Sequence, residues 1–296
     1  MKSPLLFLTF NRLEVAVKVF SRIREAKPNR LYLASDGPRD FCRGEDKKVQ
    51  EVRETIMSMV DWSCELKTLF RSNNLGCGKA VSEAVSWFLS QEEEGVILED
   101  DCYPSHSFFR FCDEMLDTYR DHSDVLHVGG TNPLTESKAS DTYYFSRYNR
   151  IWGWATWRRA WEHFDLSIEF WPSVKEDGRL HKILGKYEAE HYSRLFDLVH
   201  SGKIDTWDYQ WFLCRLLNGL ALIPKANLVS NLGFNSEATH TLDSDSPLSN
   251  LELGVMEFPL RHPLKEVDLQ LDKAWAALTP SQVSLWKKVI RKLGMK

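Results

Sequence analysis

Apolar and polar positions switch between two periods over the first hundred residues. "PLLFLTF" is a compact apolar run, and "NRLEVAVKVFSRIREA" after it places Val15, Val19, Phe20 and Ile23 at the spacing of one helix face. "RLYLAS" predicts a second strand, closed by the turn "DGPRD". A helix near 45–60, the strand "CELKTLF", the helix "GKAVSEAVSWFLSQ" with Val81, Val85 and Phe88 on one stripe, and the strand "GVIL" follow. "VLHV" predicts one more strand. Strands alternating with helices predict an α/β fold whose mostly parallel sheet is covered on both faces.

In such sheets ligands bind outside the carboxyl ends of the strands. Those ends read Thr9-Phe10-Asn11-Arg12, Ser35-Asp36-Gly37, Arg71-Ser72-Asn73-Asn74-Leu75-Gly76, Glu99-Asp100-Asp101 and Gly129-Gly130-Thr131-Asn132. Polar or glycine residues at five ends of one edge predict a polar site. The second half alternates less regularly. It holds "YFSRYNRIWGWATWRRAWEHF", a helical stretch near 187–200 and "DTWDYQWFLCRLLNGLALIP". We read one domain over 1–262, with a first half to about 132 and an elaborated half over 133–262, and an extension over 263–296. Within 279–293 Trp286, Val289, Ile290 and Leu293 form an apolar stripe beside Lys287, Lys288, Arg291 and Lys292. That pattern suits peripheral contact with a membrane or a terminal helix docked on the domain.

Composition narrows the classes. A net charge of −4 opposes a nucleic-acid partner. The six cysteines include no CxxC pair, so neither a zinc site nor a disulfide framework is expected, and a cytoplasmic setting fits. The first apolar run is too short for a signal peptide, and no segment is long enough to span a membrane.

The sharpest feature is "GVILEDDCYP", where an apolar strand delivers Glu99, Asp100 and Asp101 to one place. Each carboxylate raises the cost of ionising the next unless a cation sits among them. Hard oxygen ligands suit Mg2+ or Mn2+, which keeps one or two carboxylates and takes phosphates for the rest. Extended alternation would put Glu99 and Asp101 on one side and Asp100 on the other. The plain alternative is a solvated acidic turn.

"ILEDD" at this place resembles the DxD element of GT-A glycosyltransferases, in the form found in N-acetylglucosaminyltransferase I and its bacterial relatives. "FLTFNR", "SDG", "NNLGCGKAV", "WGWATWRRAW" and "TWDYQWF" resemble further elements of that family in the same order, over roughly residues 3–242. The resemblance implies a Rossmann-like GT-A sheet and an inverting, metal-dependent transferase moving a sugar from a nucleotide-diphosphate sugar, such as a UDP-sugar, to a hydroxyl of a glycan or glycolipid. It implies bacterial surface polysaccharide synthesis, at the inner face of the membrane if residues 279–296 bind there.

Carried over residue by residue, the resemblance makes Asp101 a metal ligand, with Glu99 assisting the metal or near the donor sugar, and lets His240 complete the metal sphere. Asp100 would hold the ribose and Asp36 the base or ribose, with Thr9, Asn11 and Arg12 in the same pocket. Asn74, Gly76 and Lys79 would lie beside the nucleotide. The family's base is an acid at the start of a helix, which points to Asp208 and then Asp205; either is equally an N-cap. Asp208 and Trp211, one turn apart, could share one wall.

The run 151–157 is open to two readings. It is a sugar platform, with Gly153 permitting close approach, or the start of a core helix, since Trp154, Trp157 and Trp161 recur at helical spacing. We expect the three to be partly core, with Trp152 and Gly153 nearer the donor, and Arg158 and Arg159 on diphosphate or on the surface. Two rival functions remain. A nucleotidyltransferase would need a Gly-rich basic loop after the first strand, and "FNRLEVAVK" has no glycine. A non-catalytic carbohydrate-binding protein is suggested by the tryptophans alone.

Overall fold

The computed structural model describes residues 1–134, 141–233 and 251–278. Strand β1 (Leu5–Thr9) leads into α1 (Leu13–Ala26), β2 (Arg30–Ser35) into α2 (Glu45–Ser58), and β3 (Glu65–Phe70) into α3 (Cys77–Gln91). Strand β4 (Glu94–Glu99) turns directly into β5 (Cys102–Pro104) and α4 (His106–Thr118). The second half holds β6 (Val125–Gly129), β7 (Tyr143–Ser146), β8 (Trp154–Trp157), α5 (Arg158–Trp161), α6 (Trp171–Glu176) and α7 (Arg179–Leu184). Then come α8 (Lys186–His200), α9 (Asp208–Asn218), β9 (Leu220–Pro224), β10 (Val229–Asn231) and α10 (Leu269–Ala277).

Eight strands form one sheet in the order β3-β2-β1-β4-β8-β6-β9-β7, and β5 pairs with β10 in a small antiparallel ribbon. The first four strands are mutually parallel, β6 and β9 are parallel, and β8 and β7 run against their neighbours. Helices α1 and α4 pack together on one face, while α3 and α5 pack together on the other. The mostly parallel α/β sheet read from the sequence is therefore the fold. The helices follow the predicted faces: α1 buries Ala16, Val19, Phe20 and Ile23 and stops at Lys27, which adopts a left-handed conformation before Pro28.

The tryptophan run departs from expectation. Trp154 and Trp157 belong to strand β8, inserted between β4 and β6, not to a helix. A central strand is covered on both faces, so large apolar side chains on it become core. Trp154 and Trp157 are at most 1% exposed and Trp161, at the end of α5, only 7%. Trp154 stacks on Trp207 at 5.6 Å and on His127 at 5.3 Å. Arg158 and Arg159 lie at the far, amino-terminal end of β4. They donate to backbone carbonyls of Leu89 and Glu92, and of Tyr119, Arg120 and Val125. They are thus tied into the frame, away from any diphosphate at the carboxyl edge.

A second apolar cluster joins β7, α8, α9 and α10, and Trp275 of α10 lies within it. Asp272 of α10 is buried and accepts from Ser146 Oγ and, at 2.7 Å, from Arg147 Nε. Buried Arg215 donates to the carbonyl of Arg147 and, at 3.0 Å, to Asn149 Oδ1. These bonds fix the start of the segment between β7 and β8, which returns to the carboxyl edge.

Candidate active site

The acids at the end of β4 do not continue an extended strand. Glu99 is its last residue, and Asp100 and Asp101 form the turn into β5. The turn brings Asp100 and Asp101 to the same side, contrary to simple alternation. Arg12, at the carboxyl end of β1, joins them: its Nη2 donates to Asp100 Oδ1 and, at 3.1 Å, to Asp101 Oδ2. Parallel pairing of β1 with β4, with Leu8 opposite Glu99, makes this contact possible across 88 residues.

The charges respond to one another. Burial lifts the Asp100 carboxyl to about 6 against the pull of Arg12, and Asp101 adds to the rise. Burial, then Asp101 and Asp100, push Glu99 well above the usual carboxylate range. Burial would lower Arg12, but Asp100 and Asp101 outweigh it and hold the guanidinium more firmly charged. The ribbon of β5 and β10 brings Asn231 opposite Cys102, and the Leu232 N–H donates to the Asp101 carbonyl at 2.8 Å. His240 lies outside the described residues.

Whether a cation fits depends on the donor set. Asp100 Oδ2 is buried without a hydrogen-bond partner, an orphaned acceptor in an acidic corner. Among the described residues no three His, Cys, Asp or Glu side chains meet as a cage. Asp100 and Asp101, both bonded by Arg12 but with Asp100 Oδ2 left over, offer the one or two carboxylates that a hard cation takes from a protein when phosphate and water supply the rest.

The neighbouring strand ends hold their own side chains. Asp36 accepts from the N–H groups of Leu75 and Gly37 and from Asn74 Nδ2 at 2.9–3.1 Å, so it organises its loop. Burial raises its carboxyl. Asn11 donates to buried Glu45 at 2.8 Å, and Thr9 Oγ1 points to the Ala34 carbonyl. Lys79 is exposed on α3 and pairs loosely with Glu83.

Asp205 and Asp208 part company. Both carboxylate oxygens of Asp205 accept backbone N–H groups at the start of α3, from Cys77 at 3.0 Å and Gly78 at 2.9 Å. Gly76 and Gly78 leave room for it, since a Cβ at either would lie 2.5 or 2.6 Å from that carboxylate. Asp208 opens α9, is half-buried, and accepts from Thr206 Oγ1. It adds to the rise at Glu99, which sets the two carboxyls in one field. Trp211 does not share a wall with Asp208. It is fully buried and donates to His127 Nδ1 at 3.1 Å.

Because β8 is antiparallel to β4, with Ile97 opposite Trp154, Trp152 and Gly153 return to the edge where Glu99 lies. Gly153 has φ +63, and a Cβ there would sit 3.1 Å from Leu98 and 2.7 Å from Val229. Trp152 is half-buried. Arg150, Tyr192 and Tyr209, which the sequence did not single out, complete this side, all three half-buried. No spacing signals them, because they come from a loop, α8 and α9. Cys77, half-buried at the start of α3, is raised by burial and then by Glu99, Asp208, Asp205 and Asp101, which places it among all four acids.

A cavity of about 480 Å3 lies at the opposite, amino-terminal edge. Its charged lining is mostly spent internally: Arg120 pairs with Glu94, and Asp113 accepts the N–H groups of Lys2 and Ser3. The orphaned Asp100 Oδ2 and the crowded acids are at the carboxyl edge, and the candidate site is there. Among the described residues no helix is long and apolar enough to cross a membrane, and 279–296 lie outside them.

No family model matches the chain, and no curated protein sequence does. Among solved structures, the chain is similar to a mannosyltransferase from Pyrobaculum calidifontis in complex with GDP-Man and Mn2+, at 13% identity and TM-score 0.44, covering 80% of this chain and 59% of that one. The chain thus spans less than two thirds of the length of that protein. It is also similar to a cytidylyltransferase from Leptospira borgpetersenii, at 13% identity and TM-score 0.36 over 60% of this chain and 73% of that one. A mannose-1-phosphate geranyltransferase from Thermus thermophilus is similar at 13% identity and TM-score 0.36, over 76% and 74% of the two chains.

Proposed function

We propose that the protein is a metal-dependent inverting glycosyltransferase that moves a sugar from a nucleotide-diphosphate sugar, a UDP-sugar in the reading of its motifs, to a hydroxyl of a glycan or glycolipid. The observation that carries this reading is the acidic corner at the carboxyl edge, where Asp100 and Asp101 meet Arg12 while Asp208 shares the field of Glu99. Asp100 and Asp101 would hold Mn2+ or Mg2+, which when bound neutralises the departing diphosphate. Asp208 takes the proton of the acceptor hydroxyl as its oxygen bonds to the anomeric carbon. The bond from that carbon to the diphosphate oxygen breaks, and the electron pair leaves with the nucleotide. Asp205 positions the start of α3 instead, since its two oxygens are already spent on N–H groups.

Two rivals lose support. Arg12 reaches the β4 acids from a loop without glycine, whereas a nucleotidyltransferase needs a Gly-rich phosphate cradle there. The carbohydrate-binding reading rested on tryptophans, and Trp154, Trp157, Trp207 and Trp211 are core at 1% exposure or less. The test is sugar transfer by Asp208→Asn and Asp205→Asn. Asp208→Asn should slow transfer about 10²–10⁴-fold while still binding donor, and Asp205→Asn should mainly lower stability. Undiminished transfer by Asp208→Asn would remove the assigned base.

A further inference from the structure

The segment between β7 and β8 carries a cation that nothing in the frame uses. Arg150 makes no ion pair and donates no side-chain hydrogen bond among the described residues, and its Nε is buried without a partner. Its guanidinium carbon lies 5.7 Å from the Trp152 ring centre and 5.6 Å from that of Trp275. Two indole faces favour a cation but offer its N–H groups no acceptor oxygen.

The rest of the segment is held firmly. His127 Nδ1 accepts from Trp211, so Nε2 carries the proton and donates to the Arg150 carbonyl at 3.1 Å. Burial keeps that imidazole neutral, lowering it to about 3. Arg215 ties down Arg147 and Asn149 just before it. A half-buried guanidinium set against two indoles, with a buried Nε–H that bonds to nothing, keeps N–H donors that suit an anion.

Its neighbours locate the anion. Arg150 lies against Trp152 and Trp275, and the charges of Tyr192 on α8 and of Tyr209 and Asp208 at the start of α9 act on it. Arg12 is the cation bonded to the acids of the corner, so we assign Arg150 to the α8–α9 side of the site, toward the proposed base Asp208. We propose that Arg150 is a specificity residue that binds a carboxylate or phosphate carried by the transferred sugar or by the acceptor sugar, so that one substrate of the reaction is an anionic sugar. This rests on reading the carboxyl edge as a nucleotide-sugar site. The guanidinium fork suits two oxygens of either anion, and Tyr192 and Tyr209 provide hydroxyls beside it.

The experiment follows the Nε–H resonance of Arg150 by NMR in 15N-arginine-labelled full-length protein, assigned by its loss in Arg150→Lys. Methyl glucuronide and glucose 6-phosphate are compared with methyl glucoside, then UDP-glucuronate with UDP-glucose and UDP in the presence of Mn2+. The anionic sugars should shift the resonance and bind about ten- to hundredfold more tightly than the neutral one, with the gain lost in Arg150→Gln. A response to the free sugars alone assigns the anion to the acceptor. A response to UDP-glucuronate beyond that to UDP assigns it to the donor. Equal binding of charged and neutral sugars, an unchanged gain in Arg150→Gln, or a full shift by UDP alone overturns the proposal. Failure of every UDP compound to bind, with the free anionic sugars still seen, overturns the nucleotide-sugar reading and leaves the anion site standing.

Discussion

Replacing Arg12 by Met keeps the stem and removes the charge that Asp100 and Asp101 share. The side chains of Arg12, Asp100 and Asp101 are 20%, 5% and 16% exposed, so solvent screens them little. Were both carboxylates to stay ionised, the loss would be about 3–5 kcal/mol, the usual cost of stranding a buried charge. Protonation limits the part due to Asp100. With that carboxyl at about 6, its ionised form at pH 7 is favoured over the protonated form by only about 1.4 kcal/mol. A proton can replace the guanidinium for about that much. The expected loss at pH 7 is about 1.5–3 kcal/mol, read from urea unfolding. At pH 5 the proton is already bound in the folded wild type, so the loss shrinks. Millimolar Mn2+ should restore more stability to the variant than it adds to wild type. A loss under about 0.5 kcal/mol at pH 7, within the range of ordinary surface changes, or one equal at pH 5 and pH 7.5, refutes the clasp.

Three further outcomes follow from the same structure. Because Asp100 is raised from 3.8 to about 6, the folded state binds more protons than the unfolded one between those values. Its contribution is full below about 4 and is lost as pH rises through about 6, by up to about 3 kcal/mol; Asp100→Asn should flatten the stability profile in that window relative to wild type, and an identical slope contradicts it. Asp272→Ala removes the carboxylate shared by Ser146 and Arg147, leaving Arg147 the Ile183 carbonyl and partial solvent, and should cost about 2–3 kcal/mol in urea unfolding; a change under about 1 kcal/mol would show that α10 is not anchored there. Cys77, raised by burial and four acids, should react with iodoacetamide at pH 8 far more slowly than a free thiol despite its partial exposure, and faster in Asp205→Asn; labelling at the free-thiol rate contradicts the crowding of acids around it.

The strands and helices of the first hundred residues were legible because each apolar stripe matches one period, and the acids at 99–101 stood out because they end a buried strand. Strand β8 was not legible. Trp154, Trp157 and Trp161 recur at three and four residues, which imitates a helix, and only the gap between β4 and β6 makes 154–157 extended. The cap of α3 by Asp205 spans 128 residues and leaves no local trace. Arg12 stood out at the end of the first strand, and its clasp on Asp100 and Asp101 was not legible because it depends on the β1–β4 register. Arg150 was invisible because an arginine is ordinary in sequence until the fold shows its Nε–H buried without a partner.

The most direct test of the central claim is a calorimetric titration of UDP into wild type and Asp101→Ala, each with and without Mn2+. Binding that needs the cation in wild type and is lost in Asp101→Ala is the predicted result. Equal affinity with and without Mn2+, or in both proteins, would contradict the assignment of the β4 acids to a metal and a diphosphate.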